Sequence, residues 1–600
     1  MKKILLIIAT SVSLLSCSDF LTQEPTAVLN TSEVSTSSSV EGAVIAAYAS
    51  LGNDHYDTPF SLWPYGNVRS GDAYKGGRDP NDINDFGFME ICQSRSDMGE
   101  FNNMWFALYS GIARANSALK LLNSMTDAQY AASGSNATRT NRIAECRFIR
   151  GHYYFQLKIL FNRIPYFDET VPAEKYASTS NTALSSEQIW NNIAADFEFA
   201  FNNLPATQTQ VGRATKYAAE AYLAKTKLYQ AYGMGDSDGS HYKITTPGQL
   251  PTARKSALDS VITYCNDVIA NGGYKLASDF ANNFLPNNFP GGPYENGSES
   301  IFSIQYSEND GTMFGRLDFG DVLATPMGVG CCDFHKPSVN LFTAFRTNSN
   351  GLPIASNGFF SWPINGSASF STDTVPDLTV NTVDPRIDHT IAIPGHMFKY
   401  DQTTIYQQSW NRTPSIYGFF ASLKENVTAG ANNFDYIHVG PFYGNDKDRI
   451  VLRYADLLLW LAEAEIQSGD NGGVSAGMAL INKIRERAAN STGLLKLANG
   501  QYESKYKVGD YPTNVTQGYA FSALQWERRL EMAMEGCRFF DLVRWGIVGN
   551  YMNSYYTTES KGIPAYLAGG KFVQGRDEFL PIPLPQMEFS HGAYTQNPGY

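Results

Sequence analysis

The run Leu452-Arg453-Tyr454-Ala455-Asp456-Leu457-Leu458-Leu459-Trp460-Leu461-Ala462-Glu463-Ala464 opens a helix that extends to residue 468. Arg453 and Asp456 stand among its apolar positions. A charge in such a place is tolerated when it is paired and hydrogen-bonded. The pattern recurs downstream. Arg485 and Arg487 lie in a helix over 474–489, and Glu527, Arg528, Glu535, Arg538 and Asp541 in one over 518–546. These residues read as internal ion pairs that fix helix register, not as catalytic groups.

Upstream, Trp105, Leu108, Tyr109, Ile112, Ala115, Leu119 and Leu122 recur at steps of three and four and share one helix face. Ile143, Cys146, Tyr153, Leu157 and Phe161 do the same. Ser185 and Gln188 have capping-box spacing before a helix through Asn203. Residues 213–232 place Ala218, Ala221, Tyr222, Leu228 and Tyr229 on one face, and 252–270 give a further helix. Trp105, Trp190, Trp460, Trp526 and Trp545 lie in these segments and read as packing residues. The middle is dense in Gly, Pro, Asn and Ser, which spells loops, turns and short strands, Ile301 to Tyr306 among them. The tail from Phe579 reads as extended, because Pro581 and Pro583 forbid a helix. Successive helices of about 16–20 residues suggest stacked hairpins of tetratricopeptide type, without a clean self-repeat of about 34 residues. The expected fold is mainly α: a helical scaffold over 40–275 and 446–550, a loop-rich insertion with short strands over 276–445, and an extended tail over 551–600.

The first residues speak for a compartment. Lys2 and Lys3 precede an apolar stretch, Ile4 to Leu15, too short to span a bilayer. Leu14-Leu15-Ser16-Cys17 resembles a bacterial lipobox. Residues 1–16 therefore read as a lipoprotein signal peptide, Cys17 as the lipidated residue, and the Ser/Thr-rich stretch 17–39 as a tether. The chain of 600 residues carries a net charge of -12, and this acidity excludes a nucleic-acid partner. Cys92, Cys146, Cys265, Cys331, Cys332 and Cys537 are scattered, which fits neither a zinc pattern nor a dense disulfide framework. Adjacent Cys331 and Cys332 admit a vicinal disulfide, but two free thiols in a turn are the preferred reading.

Several long motifs resemble the SusD/RagB family of outer-membrane glycan-binding lipoproteins. Leu452 to Ala464 resembles its LRYADxLLxxAEA signature, and Ile481-Asn482-Lys483-Ile484-Arg485-Glu486-Arg487-Ala488 its INxIRxRA. Glu527-Arg528-Arg529, followed by Glu535-Gly536-Cys537-Arg538-Phe539-Phe540-Asp541-Leu542-Val543-Arg544-Trp545-Gly546, resembles ERRxELxxEGxRFxDLxRWG. Phe579 to Pro583 with Asn597-Pro598 resembles its FLPIP…NP ending. Glu145 to Arg150 with Tyr153-Tyr154-Phe155 resembles AExRFLRAxYYF, departing at Cys146 and Gly151. Gly212-Arg213-Ala214-Thr215-Lys216 matches a further family segment. The resemblance implies a SusD-like α superhelix of four tetratricopeptide-like units with a loop-rich ligand face. It also implies an oligo- or polysaccharide ligand, and a SusC-like TonB-dependent transporter as partner at the outer membrane.

Candidate ligand residues are aromatic side chains read into loops, where sugar C–H faces could stack, and polar neighbours that could bond hydroxyls. They are Trp63, Trp362 with Phe360, and Trp410 with Tyr406. Asp72, Tyr74 and Arg78 in the Gly-rich segment Ser70 to Asp79 join them. The plainer alternative for each is a residue that pins its own loop. The acidic run Asp79 to Asp85 lacks the Gly and final Glu of an EF-hand loop. No catalytic residue, resident metal or cofactor is expected. Gly473-Val474-Ser475-Ala476-Gly477 matches GxSxG only in letters, since a nucleophile elbow needs a preceding strand. Two further functions stay open: a protein- or peptide-binding tetratricopeptide-type adaptor, and a secreted glycoside hydrolase using loop acids such as Asp318, Asp321 and Asp333.

Overall fold

The computed structural model describes residues 37–132, 135–233, 255–307, 316–354, 378–428, 437–439, 442–469, 472–562 and 564–600. Cys17, Phe360 and Trp362 lie outside them. Numbering only the longer helices, α1 is Ser37–Ala49, α2 Gly99–Asn123, α3 Arg139–Phe161, α4 Ser186–Asn203, α5 Lys216–Tyr232 and α6 Lys255–Asn271. After the insertion come α7 Tyr454–Ser468, α8 Gly473–Asn490, α9 Gln517–Glu531, α10 Arg538–Arg544 and α11 Val548–Glu559. The fold is mainly α, as read from the sequence.

From α1 to α8 each helix packs against the next, and α7 also packs against α9. The local chemistry explains why. Ser185 and Gln188 form the expected capping box: the Gln188 N–H donates to Ser185 Oγ at 3.2 Å, and the Ser185 N–H to Gln188 Oε1 at 2.8 Å. Ala218 and Ala221 are fully buried on α5. Gly151 of α3 lies beneath Phe197 of α4, and a Cβ there would sit 3.0 Å from that ring. Small residues thus set the helix spacing. The five helical tryptophans are all buried.

The insertion leaves after α6 and returns at α7, and these two helices pack together. Strand β2, Ser300–Ile304, pairs antiparallel with β4, Arg449–Arg453, and clamps the two ends of the insertion. Within the insertion, β3, Phe334–Pro337, pairs antiparallel with β1, Ala73–Gly76, from the N-terminal half.

Three boundaries differ from the sequence reading. Helix α1 starts at Ser37, inside the stretch assigned to the tether. The helix expected over 518–546 is two, α9 and α10, separated by a turn with positive φ at Met534 and Gly536. Apolar periodicity carries across that turn, but the backbone of Gly536 packs directly on Ser61 and Gly66, which a continuous helix would not allow. The tail is not wholly extended: α11 carries helix through Glu559, inside the stretch 551–600. Residues Leu584–Phe589 form a short helix whose Pro585 sits in the first turn, where the missing N–H costs nothing.

Charged helix residues are paired inside the protein. Arg453 donates to Glu531 at 2.6 Å and to Glu535 at 2.9 Å. Arg487 bridges Glu299 and Glu531. Arg386 of the insertion reaches Asp384, Glu527 and Glu531 at 2.7, 2.7 and 2.9 Å. Arg528 joins Asp456 at 2.7 Å and Asp541 at 2.9 Å. Burial alone would raise the Glu531 carboxyl, but Arg487, Arg453 and Arg386 hold it far below the usual carboxylate range. Arg538 departs from the expectation of an ion pair. Its guanidinium lies 5.4 Å from the Tyr551 ring centroid and 5.8 Å from that of Trp545.

Candidate functional site

One surface gathers loops from distant parts of the chain. The β1–β3 pair ends at Gly76 opposite Phe334, and the Gly77 N–H donates to Asp333 O at 2.9 Å. The pair therefore delivers the turn after Gly77 and the turn before Asp333 to one edge. The segment around Trp410 is tied to both. The Met327 N–H donates to Trp410 O at 3.0 Å, the Arg412 N–H to Asp333 Oδ2 at 2.7 Å, and Thr413 Oγ1 to Arg78 O at 2.7 Å.

Asp333 organises the floor of this surface. It is buried with positive φ and accepts from Lys336 Nζ at 2.7 Å. Lys336 Nζ also donates to Asn411 Oδ1 at 2.6 Å, which accepts from Tyr406 OH at 2.9 Å. Burial pushes the Asp333 carboxyl up and the Lys336 ammonium down, against the attraction between them. This buried chain holds the outer groups in place.

Above it, Met327, Gln407, Gln408 and Arg412 are exposed, and Trp410 is half-buried. Arg78 is exposed over 67% of its side chain and pairs with Asp79 at 2.9 Å. Arg412 reaches Asp82 at 3.1 Å. Cys331 and Cys332 are joined in a vicinal disulfide beside Gly330, which corrects the reading of two free thiols. The combination is an apolar platform ringed by planar cations, carboxylates and amides, a surface able to stack a flat apolar face and bond hydroxyls around it. The acidic run is not an open cation cradle: Asp79 accepts from Arg78 Nε and the Asn81 N–H, and Asp82 from the Arg78 N–H.

Of the sequence-predicted residues, the structure brings Arg78 and Trp410 to this surface. Four others lie inside, where the sequence reading had placed them in ligand-facing loops. Trp63 is buried in the short helix Trp63–Val68, stacked on His335 with ring centroids 5.0 Å apart. Asp72 is buried against Arg529 at 2.5 Å. Tyr74 is buried and donates to a Glu559 carboxylate oxygen at 2.6 Å. Tyr406 is buried beneath Trp410, their ring centroids 5.5 Å apart, and supports the surface from below. Asp72 and Tyr74 follow Gly71, which reads as turn, yet β1 carries Tyr74 into the core, and Asp72, just before it, is held there by the Ser338 N–H, which donates to Asp72 O at 3.0 Å. Sequence reasoning missed Arg412 and Met327, and named Asp333 only as a loop acid for a hydrolase. Only the Arg412 charge next to the Trp410 segment could have flagged one of them.

Trp63 and His335 also line an interior cavity of about 170 Å³, together with Asp318, Asp321, Lys447 and Arg449. His335 Nδ1 contacts Glu425 at 2.5 Å and Nε2 contacts Asn67 at 2.9 Å. Burial raises Asp318 and Asp321, each with a carboxylate neighbour adding to the rise, Asp321 in the first case and Glu425 in the second. The walls are buried side chains satisfied mainly by one another, so the cavity reads as a polar interior.

A sequence model of the SusD family matches residues 298–600, and a model described as starch-binding, associating with the outer membrane, matches residues 19–228. SusD-like protein P2 of Formosa agariphila is 24% identical over 612 residues, covering 98% of this chain and 97% of that protein. A SusD superfamily protein from Bacteroides vulgatus superposes with a TM-score of 0.65 at 20% identity, over 94% of this chain and 99% of the other. Surface glycan-binding protein A from Bacteroides thetaiotaomicron, solved with laminarihexaose, gives 0.59 at 18% identity, over 94% and 99%.

Proposed function

The chain belongs to the SusD family, and from that membership we propose that it captures oligo- or polysaccharide at the Arg78–Trp410–Arg412 surface. In this reading it is a binding protein without hydrolytic activity. It is held at the outer membrane, facing the exterior, by a lipid on Cys17, and it passes its ligand to a SusC-like TonB-dependent transporter. One observation carries the reading: a half-buried tryptophan framed by arginines, carboxylates and amides, on a surface that three distant loops build together. A relative of the same fold binding laminarihexaose supports a glucan among the first ligands to try.

Calorimetry against a panel of soluble glycans, laminarin and starch included, tests it. Trp410→Ala is expected to weaken binding by about 1–3 kcal/mol, the scale of a lost central aromatic anchor. Absence of binding to every glycan, or full affinity in Trp410→Ala and Arg412→Ala, would overturn it. Reducing ends released from a bound glycan would instead favour a hydrolase.

A second reading, a protein- or peptide-binding adaptor, rests on an apolar groove of about 490 Å³ lined by Trp105, Tyr109, Phe167 and Phe589. Phe106 at its rim is 67% exposed. Loss of a co-purifying protein in Phe106→Asp, with glycan binding intact, is the result that reading expects.

A further inference from the structure

Behind the Trp410 segment, where the Tyr406 N–H donates to His396 O at 2.9 Å, three side chains converge from distant parts of the sequence. Asp388 lies in the short helix Arg386–Thr390 and His396 just before the strand Met397–Phe398, both in the insertion. Glu503 lies after α8, two residues before the strand Lys505–Tyr506. One carboxylate or imidazole atom from each lies within 4.8 Å of the other two. His396 Nδ1 and Asp388 Oδ1 are 2.7 Å apart.

The cluster is built rather than incidental. Ser504 Oγ and Tyr506 OH donate to Asp388 Oδ2 at 2.7 and 2.8 Å, which fixes that carboxylate. The Met397 N–H donates to Glu503 Oε1. Glu503 is only 7% exposed. Two largely buried carboxylates share one imidazole, a charge balance that a divalent cation completes. Among the described residues, no Lys or Arg pairs with Asp388 or Glu503. The His396 side chain is 17% exposed and offers a way in from solvent.

We propose that Asp388, His396 and Glu503 bind a divalent transition-metal ion of the Zn²⁺ class, which staples the ligand-bearing insertion to the helical scaffold. The imidazole selects such a metal over Ca²⁺ or Mg²⁺, which prefer oxygen alone. Three protein ligands with water in the fourth position complete a tetrahedral shell. Ligand atoms at about 2.0–2.2 Å from zinc stand roughly 3.3–3.6 Å from one another, so side-chain rotation suffices to close the site. Binding displaces the proton held between His396 and Asp388 to solvent and leaves both as ligands. The strand pair Lys505–Tyr506 with Thr382–Val383 already joins the same two regions, and the metal would lock that junction.

The test is equilibrium dialysis of the chelator-stripped full chain against Zn²⁺ alone, with metal counted per chain, and melting measured in zinc and in chelator. The expected result is one saturable Zn²⁺ per chain and a higher melting temperature in zinc. His396→Ala and Glu503→Gln should each weaken uptake more than about tenfold and abolish the zinc-dependent shift. The variants' melting in chelator reports their folding, and His396→Gln replaces His396→Ala if the latter does not fold. No saturable Zn²⁺ uptake, uptake unchanged in both variants, or saturable Ca²⁺ uptake without Zn²⁺ would overturn the proposal.

Discussion

Asp72 and Arg529 show how a single residue's role turns on its burial. Asp72 sits in a Gly-rich segment that invites a ligand-binding reading, yet it is buried and its Oδ1 accepts both Nε and Nη2 of Arg529, at 2.9 and 2.5 Å. Removing one partner of such a pair strands the other charge in low dielectric. Asp72→Ala is therefore expected to cost about 3–5 kcal/mol of unfolding free energy by urea titration. Asp72→Asn keeps an acceptor and should cost less. Glycan affinity of the folded Asp72→Asn protein should match that of the unaltered chain, which a direct ligand contact would not allow. Arg78, a few positions on, is legible from sequence because a turn exposes it. Asp72 and Tyr74 are not, because whether a short strand faces solvent depends on its partner, and β3 arrives from the insertion.

Among the elements, the β2–β4 clamp bears most directly on the candidate site, since it closes the neck of the insertion. Asp448, just before β4, accepts from the Tyr306 N–H at 3.0 Å and from Asn296 Nδ2 at 2.9 Å. Burial nevertheless pushes its carboxyl up from 3.8 to about 6. Its folded pKa is raised, so the native state holds the proton longer than the unfolded chain. The stability this gives is complete below 3.8 and is lost as pH rises through about 6. Urea midpoints measured across that window should fall less steeply in Asp448→Asn than in the unaltered chain, and equal slopes would refute the assignment. The helices from α2 to α9, by contrast, were legible, because apolar residues at steps of three and four reveal one face whatever it packs against. The break between α9 and α10 was not, because it comes from a backbone contact with Ser61 and Gly66 that leaves the apolar period intact.

Across the whole molecule, the C-terminal tail is tied to the end of α3. The Leu580 N–H donates to Leu160 O at 2.8 Å, and Asn597 Nδ2 donates to both Phe161 O and Leu580 O at 2.7 Å. Asn597→Ala would leave Leu580 O without its donor, at about 1–3 kcal/mol, while Phe161 O keeps the Arg163 N–H. A lower urea midpoint with an unchanged glycan affinity is expected. Arg386, Glu299, Glu527 and Glu531 act on the same scale, since their ion pairs join the insertion to α8 and α9. The Asp388–His396–Glu503 cluster spans the same junction, and its spacing of eight and more than a hundred residues matches no metal motif a sequence displays.

The helices from α2 to α9, the loop-rich insertion between α6 and α7, and the family could be read from the residues alone, because periodicity, capping and long motifs are local properties written in neighbouring residues. The sequence also marked the paired charges, since arginines and carboxylates on apolar faces need partners. Which partner each one takes, which loop aromatics reach the surface, and which residues converge there were decided by tertiary structure alone. Trp63 and Trp410 look alike in sequence, and both stand among turn-forming residues. The β1–β3 pair and the helix Trp63–Val68 bury one of them against His335, while the ties from Met327 and Thr413 hold the segment of the other at the surface. Burial is set by what packs over a residue, and those neighbours come from hundreds of positions away.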